Sequence, residues 1–315
     1  MTYNVGNTIV ATDYMSFRGA TAPTASYTSD AAATNKVAAL IGVGFGQRGY
    51  GVTTTTLPSV TGNSSVVTAT VWNNLRSAMG VINTHTGSSL TLQPVVASGN
   101  LIVANDGRPS LTNIPALIST LDSNRFNVGA GQSATTSNIL VSTKTVAWTN
   151  SAFHEFTVIF GVEDQARYFF NTGGKVQLSA SRSDGTVGGV NDAITSMVAA
   201  MGVISFGAVD TTYTGTGGTA TSIGYYDLTN TYQTAFSING SGAFPNISYS
   251  VLVKRENFVG QNGGNGSLLR FRAFFDISDY ISEIADGTLT STIASVRSTG
   301  AINVTNPTYA TTLNL

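Results

Sequence analysis

The chain contains no cysteine. That absence excludes a disulfide framework, a thiolate metal site and a cysteine nucleophile, and it leaves the redox compartment open. Charge is also scarce. Asp, Glu, Lys and Arg make up 10% of the 315 residues, against about 25% in an ordinary soluble protein. With 15 basic and 16 acidic side chains, there is no positive excess to neutralise phosphates, so no nucleic-acid partner is expected. No apolar run approaches the roughly 18 residues of a spanning helix, so no membrane partner is expected either. The opening Met1-Thr2-Tyr3-Asn4-Val5-Gly6-Asn7 has neither a basic nor an apolar stretch, and no signal peptide is expected.

What is present is apolar and neutral. Hydrophobic residues are 42% of the chain, with 15 Phe, 12 Tyr, 2 Trp and 34 Gly. Such apolar area at low charge argues against disorder, and the scarcity of Glu, Lys and Leu argues against a coiled coil. The surface must be built largely from Thr, Ser, Asn and Gly. A free monomer is better solubilised by more charge, so this composition suits a protein whose surfaces are covered by partners.

Periodicity divides the chain. Residues 1–30 are polar and turn-rich and read as an extended N-terminal arm; residues 31–135 read as a mixed helix and loop region. Within the latter, 31–42 reads as a short helix followed by the glycine-rich loop Gly42–Gly51. In 70–79, Val71, Trp72, Leu75 and Met79, with Ile82 beyond, form an apolar stripe. Thr70 is the expected N-cap and Gly80 the expected terminator. A further helix is expected over 113–125, with Ile114, Leu117, Ile118 and Leu121 on one side and Pro115 in its first turn.

Residues 136–315 read as an antiparallel β-sandwich domain. Strands are expected at 137–149, 152–162, 166–171, 175–181, 222–238, 246–259, 267–277 and 287–298, with a helix at 191–201 and an extended tail at 301–315. Asn171-Thr-Gly-Gly174 is the expected hairpin turn inside 152–182, and 246–277 is the second expected hairpin. The string Ala-Met-Gly-Val-Ile occurs at 78–82 and at 200–204, and each copy is expected to end a helix at its glycine. The fold class expected is therefore mainly β, antiparallel, with a few short helices.

Candidate chemistry is sparse. Gly44-Phe-Gly-Gln-Arg-Gly49 matches the dinucleotide fingerprint. That mechanism needs a following helix and an acid about 20 residues on, and neither is present, so a turned glycine loop is expected instead. His85 is expected in a turn or at the surface, and neither it nor His154 lies in an H-E-x-x-H pair. His154 and Glu155 should point to opposite faces of one strand. Glu155, Glu163 and Asp164 form one carboxylate group, and Asp276, Asp279, Glu283 and Asp286 another. A glycosidase needs such a pair, but acidic loop groups are more ordinarily solvated. Residues 31–105 carry only Lys36, Arg48 and Arg76 as charges, a basic segment suited to an acidic protein surface. Arg270 and Arg272 are placed to pair across strands with Glu256. The sequons Asn63-Ser-Ser65 and Asn303-Val-Thr305 arise readily in this composition. No catalytic, cofactor-binding or metal residue is assigned, and no cofactor is expected.

Three stretches resemble virion structural proteins of tailed bacteriophages, of the kind described from cyanophages and other marine phages. The first is Gly49-Tyr-Gly51, a Thr/Ser/Val spacer and Val67-Thr-Ala-Thr-Val-Trp-Asn-Asn-Leu-Arg76, closing on Thr84-His-Thr-Gly87. It is similar to that family's W-N-x-L-R helix and H-x-G turn. The second, Ala166-Arg-Tyr-Phe-Phe-Asn-Thr-Gly-Gly-Lys-Val-Gln-Leu-Ser-Ala180, resembles the family's A-R-Y-F-F-N-x-G-G hairpin. The third is Gly287-Thr-Leu-Thr-Ser-Thr-Ile293. The match covers about half of the chain. It implies a non-enzymatic structural subunit of the particle, at the tail, neck, collar or baseplate periphery. Its implied partners are other virion proteins and copies of itself, with assembly in the host cytoplasm. The Trp72 helix and 166–178 should then form core, and the arm and tail should be ordered by neighbouring subunits. The alternative reading is a receptor-binding module for host cell-surface glycan, with Tyr225, Tyr226, Tyr232 and Tyr249 as candidate platforms.

Overall fold

β-branched and aromatic side chains suit a half-buried pleated surface, and beyond residue 133 they fall in short alternating runs separated by glycine-rich turns. The computed structural model describes residues 6–19, 27–60, 67–103, 113–280 and 282–314. In chain order the helices α1 (Ala11–Arg18), α2 (Asp30–Ala33), α3 (Val37–Ile41), α4 (Ala69–Thr86) and α5 (Ile114–Ser123) come first. They are followed by β1 (Ser133–Lys144), β2 (Ser151–Ile159), α6 (Glu163–Asn171), β3 (Lys175–Ser183), α7 (Gly189–Met201), β4 (Ile204–Phe206), β5 (Thr211–Tyr213) and β6 (Thr219–Ala220). The last strands are β7 (Gln233–Asn239), β8 (Ser248–Glu256), β9 (Leu268–Asp276), β10 (Thr288–Ser298) and β11 (Thr308–Asn314). One sheet has the order β1-β10-β3-β4-β5 and the other β11-β2-β9-β8-β7-β6, and every pairing is antiparallel. The protein is mainly β, an antiparallel sandwich with short helices, as its sequence predicts.

Alternation fills the sandwich. Leu269, Phe271, Ala273 and Phe275 of β9, and Leu289 and Ile293 of β10, are buried. The sheets meet directly: the Phe206 ring of β4 stands edge-on to Phe271 at 5.2 Å. Each such buried side chain contributes about 1.5–3 kcal/mol relative to exposure. One contiguous apolar cluster runs from Tyr14 and Trp72 through Phe169 to Phe271 and Ile293.

The margins of the sandwich are partly closed by its own edge strands. The Thr211 N–H of β5 donates to the Thr221 carbonyl, just past β6, at 3.2 Å. At the other margin β1 lies beside β11, and the Asn306 amide donates to the Thr136 hydroxyl at 3.1 Å. The edge strands β1 and β5 are therefore in part covered by this chain.

The helices depart from expectation in instructive ways. Of the expected stripe, Trp72, Leu75, Met79 and Ile82 are buried and Val71 is half-buried. However, the cap is Thr68, whose hydroxyl accepts from the Val71 N–H at 3.3 Å, and the helix runs through Gly80 to Gly87. There φ of 65° supplies the left-handed end. Burial of Ile82 and His85 on the same stripe outweighs the roughly 1 kcal/mol cost of a helical glycine. The second copy of the repeated string does end its helix, at Gly202, so identical strings adopt different backbones. Asn113 caps α5 through the Ala116 N–H at 3.0 Å, with Pro115 in the first turn. The helix expected at 31–42 is two short helices broken at Asn35, whose φ is 56°. The expected arm contains α1, with Tyr14 and Phe17 buried; residues 1–5 and 20–26 lie outside the described residues.

Three strand assignments are corrected. Residues 166–171 lie in α6, so Asn171–Gly174 is the exit of a helix and not a hairpin turn. The segments at 152–162 and 175–182 consequently belong to different sheets. Within 222–238 only residues from Gln233 onward form a long strand, after a tight 3-10 turn at Tyr225–Asp227. The expected extended tail includes β11, paired with β2. The second hairpin, β8 with β9, pairs as expected.

Candidate functional site

A buried glycine-rich segment carries carbonyls that must find donors. In the loop 42–51, a Cβ at Gly44 would collide with the carbonyls of Ala39 and Arg48, and one at Gly49 with that of Val43. The chain therefore turns tightly and aims its carbonyls at α6. Arg167 and Asn171 are four residues apart on one helix face. The Arg167 guanidinium donates to the carbonyls of Val43 at 3.1 Å and Arg48 at 2.8 Å. The Asn171 amide donates to those of Gly46 at 3.0 Å and Gly49 at 3.1 Å. The Tyr226 hydroxyl lies 2.5 Å from the Gly46 carbonyl and 2.8 Å from Asn171 Oδ1, and burial pushes its ionisation well above the ordinary tyrosine range.

The same joint uses Glu163 and Asp164 of the first carboxylate group, and Glu155 lies apart from them. Asp164 pairs with Arg167 at 2.6 Å and accepts from the Asn262 amide at 2.8 Å. Glu163 accepts three backbone N–H groups, from Gln261 and Gly266 at 2.6 Å each and from Val259 at 3.4 Å. On the far side of the loop, Arg48 grips Asp122 at 2.7 and 3.1 Å and also reaches Asp30 at 3.2 Å. The loop amides are engaged as well: that of Gly46 donates to the Asn262 carbonyl at 2.7 Å and that of Gln47 to Asp30 at 3.2 Å. The glycine pattern thus serves a helix that docks onto the loop rather than one that follows it.

A second cluster lies on the outer face of the six-stranded sheet. Glu155 of β2 pairs with Arg272 at 2.8 Å and Arg270 at 3.2 Å, and with the Tyr232 hydroxyl in a short contact. Burial would raise the Glu155 carboxyl; Tyr232 and the two arginines outweigh it and hold the group below the usual range. The Arg272 guanidinium is stacked between Phe153 and Tyr232, 4.4 Å from each. Arg270 bonds Glu256 at 2.7 Å as expected, whereas Arg272, expected to share that partner, pairs with Glu155 instead, and Lys254 joins Glu256 at 2.9 Å.

The other candidates are dispersed. His85 is not at the surface but wholly buried in the last turn of α4. It meets the Tyr50 ring edge-on at 5.2 Å and the Ser298 hydroxyl at 3.4 Å, and burial lowers its pKa to about 4. His154 is buried on the inner face of β2 and Glu155 points outward, so they occupy opposite faces as expected. In the second acidic group, Asp286 accepts from Thr186 at 2.6 and 2.9 Å and from Arg182 at 3.0 Å; the Thr186 contacts first, then Arg182, lower its pKa. Asp276 accepts from the Ser278 N–H at 2.8 Å, while Asp279 stands exposed and Glu283 is half-buried. Among the described residues, no three His, Asp or Glu side chains converge to hold a metal.

The sparse cations of 31–105 turn inward rather than toward an acidic partner. Lys36 donates to the Ser16 carbonyl at 2.6 Å, Arg76 to the Gln93 carbonyl and Arg48 to its aspartates. Tyr225 and Tyr249 are wholly buried and present no platform to a glycan, Tyr226 belongs to the loop joint, and Tyr232 to the Arg272 stack. Asn63-Ser-Ser65 lies outside the described residues, and Asn303 accepts from Arg297 at 2.8 Å. Among the described residues, no helix is long and apolar enough to cross a membrane. No family model, curated protein or solved structure matches the chain.

Proposed function

We propose that the chain is a non-enzymatic structural subunit of a tailed-phage virion. It is assembled in the host cytoplasm and sits at the tail, the neck or collar, or the baseplate periphery. There it contacts other virion proteins and copies of itself. The reading starts from the three stretches that resemble such proteins. One observation supports it: the polar side chains of those stretches are used as joints. The Gly49 carbonyl, at the start of the first, accepts from Asn171 of the second, and the adjoining Arg48 carbonyl accepts from Arg167. His85, at the close of the first, packs against Ser298 at the end of β10, the strand that carries the third. The most buried carboxylates are likewise held by arginines or backbone amides, an arrangement that confers rigidity. A neutral, rigid sandwich suits repeated symmetric contacts.

Mass spectrometry of purified tailed particles tests the reading. Peptides of this chain, recovered at many copies per particle, are the expected result. Recovery only from the soluble lysate, with none in the particles, overturns it.

A further inference from the structure

Where β8 ends and β7 begins, the sandwich leaves an open cleft of about 580 Å³, within the roughly 300–1,000 Å³ of small-molecule sites. Phe258 and Arg255 both line it. The Phe258 side chain is 54% exposed, and one face of its ring is fixed by the Arg255 guanidinium, 3.7 Å from the centroid. Arg255 bonds the neutral side-chain oxygen of Asn265 and has no carboxylate partner among the described residues. The other charges of the cleft cancel, since Glu256 is bonded by Arg270 and Lys254. Asn230 and Asn257 present exposed carboxamides with no partner among the described residues, and Asn257 is held in the left-handed region with φ of 53°.

We propose that this cleft binds a carboxylated saccharide. A pyranose offers a C–H face that complements the negative face of an aromatic ring. Its neighbouring hydroxyls match the paired donor and acceptor of a carboxamide. Its carboxylate meets the one guanidinium in the cleft that lacks an anion. A peptide carboxylate fits less well. β8 already has β7 and β9 on its two sides, so no open edge remains here for backbone pairing. A ring fixed beforehand by Arg255 also lowers the ordering cost of binding. Particle membership does not depend on this site, and the two are tested separately.

Saturation-transfer NMR on the full chain provides the test, with trisaccharides of galacturonic and glucuronic acid and sialyllactose as probes. Lactose and pentaglutamate are the neutral and peptide controls. At least one acidic sugar should bind, with lactose and pentaglutamate weaker by about tenfold or more. Phe258→Ala and Asn257→Gly, the latter retaining the left-handed backbone, should each weaken binding by about tenfold at unchanged melting temperature, as expected for contact residues. Absence of signal from all three acidic sugars overturns the proposal. Equal binding of pentaglutamate, or wild-type binding by both variants, does so as well.

Discussion

Replacing Arg167 by methionine removes a guanidinium while keeping much of its apolar stem. Arg167 is wholly buried, and three bonds are lost: the ion pair to Asp164 and the donations to the Val43 and Arg48 carbonyls. Deleting one partner of a buried pair costs about 3–5 kcal/mol. Asp164 keeps its bond to Asn262 and is 15% exposed, which prevents a larger loss. An unfolding entropy of about 2.1 cal/mol/K per residue gives about 0.66 kcal/mol/K for 315 residues, so Tm should fall by about 5–8 °C. Calorimetry measures that fall. Trypsin supplies a local readout, because the Arg48–Gly49 bond lies in the loop that Arg167 holds. Cleavage there should accelerate in the variant. A Tm within about 1 °C of wild type, with this bond still resistant, would refute the reasoning.

Other outcomes follow from the same packing. Trp72 is 2% exposed, so Trp72→Ala should cost about 3–5 kcal/mol in urea unfolding; an unchanged midpoint would remove Trp72 from the core. For His85 the folded pKa of about 4 lies below the unfolded value near 6.5. The unfolded chain therefore binds the extra proton between these values. The contribution is complete above pH 6.5 and is lost progressively as pH falls toward 4, up to about 3 kcal/mol. His85→Phe should flatten that part of a stability-versus-pH profile, and identical slopes would contradict the assignment.

Much of the sandwich is legible because alternation is a local signal. Leu269, Phe271, Ala273 and Phe275 announce β9, and Val176 and Leu178 announce β3. α6 is obscured because Tyr168-Phe-Phe170 favours strands locally, whereas here Phe169 and Phe170 pack against Phe160, and Phe170 stacks on Tyr225. A signal for the helix exists in the spacing of Ala166, Phe169 and Phe170 on one face and Arg167 and Asn171 on another. His85 reads as a turn residue because Gly80 looks like a stop, and only the continuing stripe at Ile82 argues otherwise. The loop joint has no local signature. Its partners are more than 100 residues apart in sequence, and nothing in a glycine run says which distant donors will meet its carbonyls.

The position of β10 also governs when the protein can finish folding. It lies between β1 and β3, pairing Ser298 with Ser133 on one side and Thr288 with Ser183 on the other. A nascent chain that has reached only Gly287 holds β1 and β3 with nothing to join them, and it lacks β11 as well. Such long-range closure is slow and leaves strand edges exposed in the meantime. The five-stranded sheet is therefore completed only once β10 has been made. A chain that stops short of β10 lacks the strand that joins β1 to β3, so its five-stranded sheet stays unfinished.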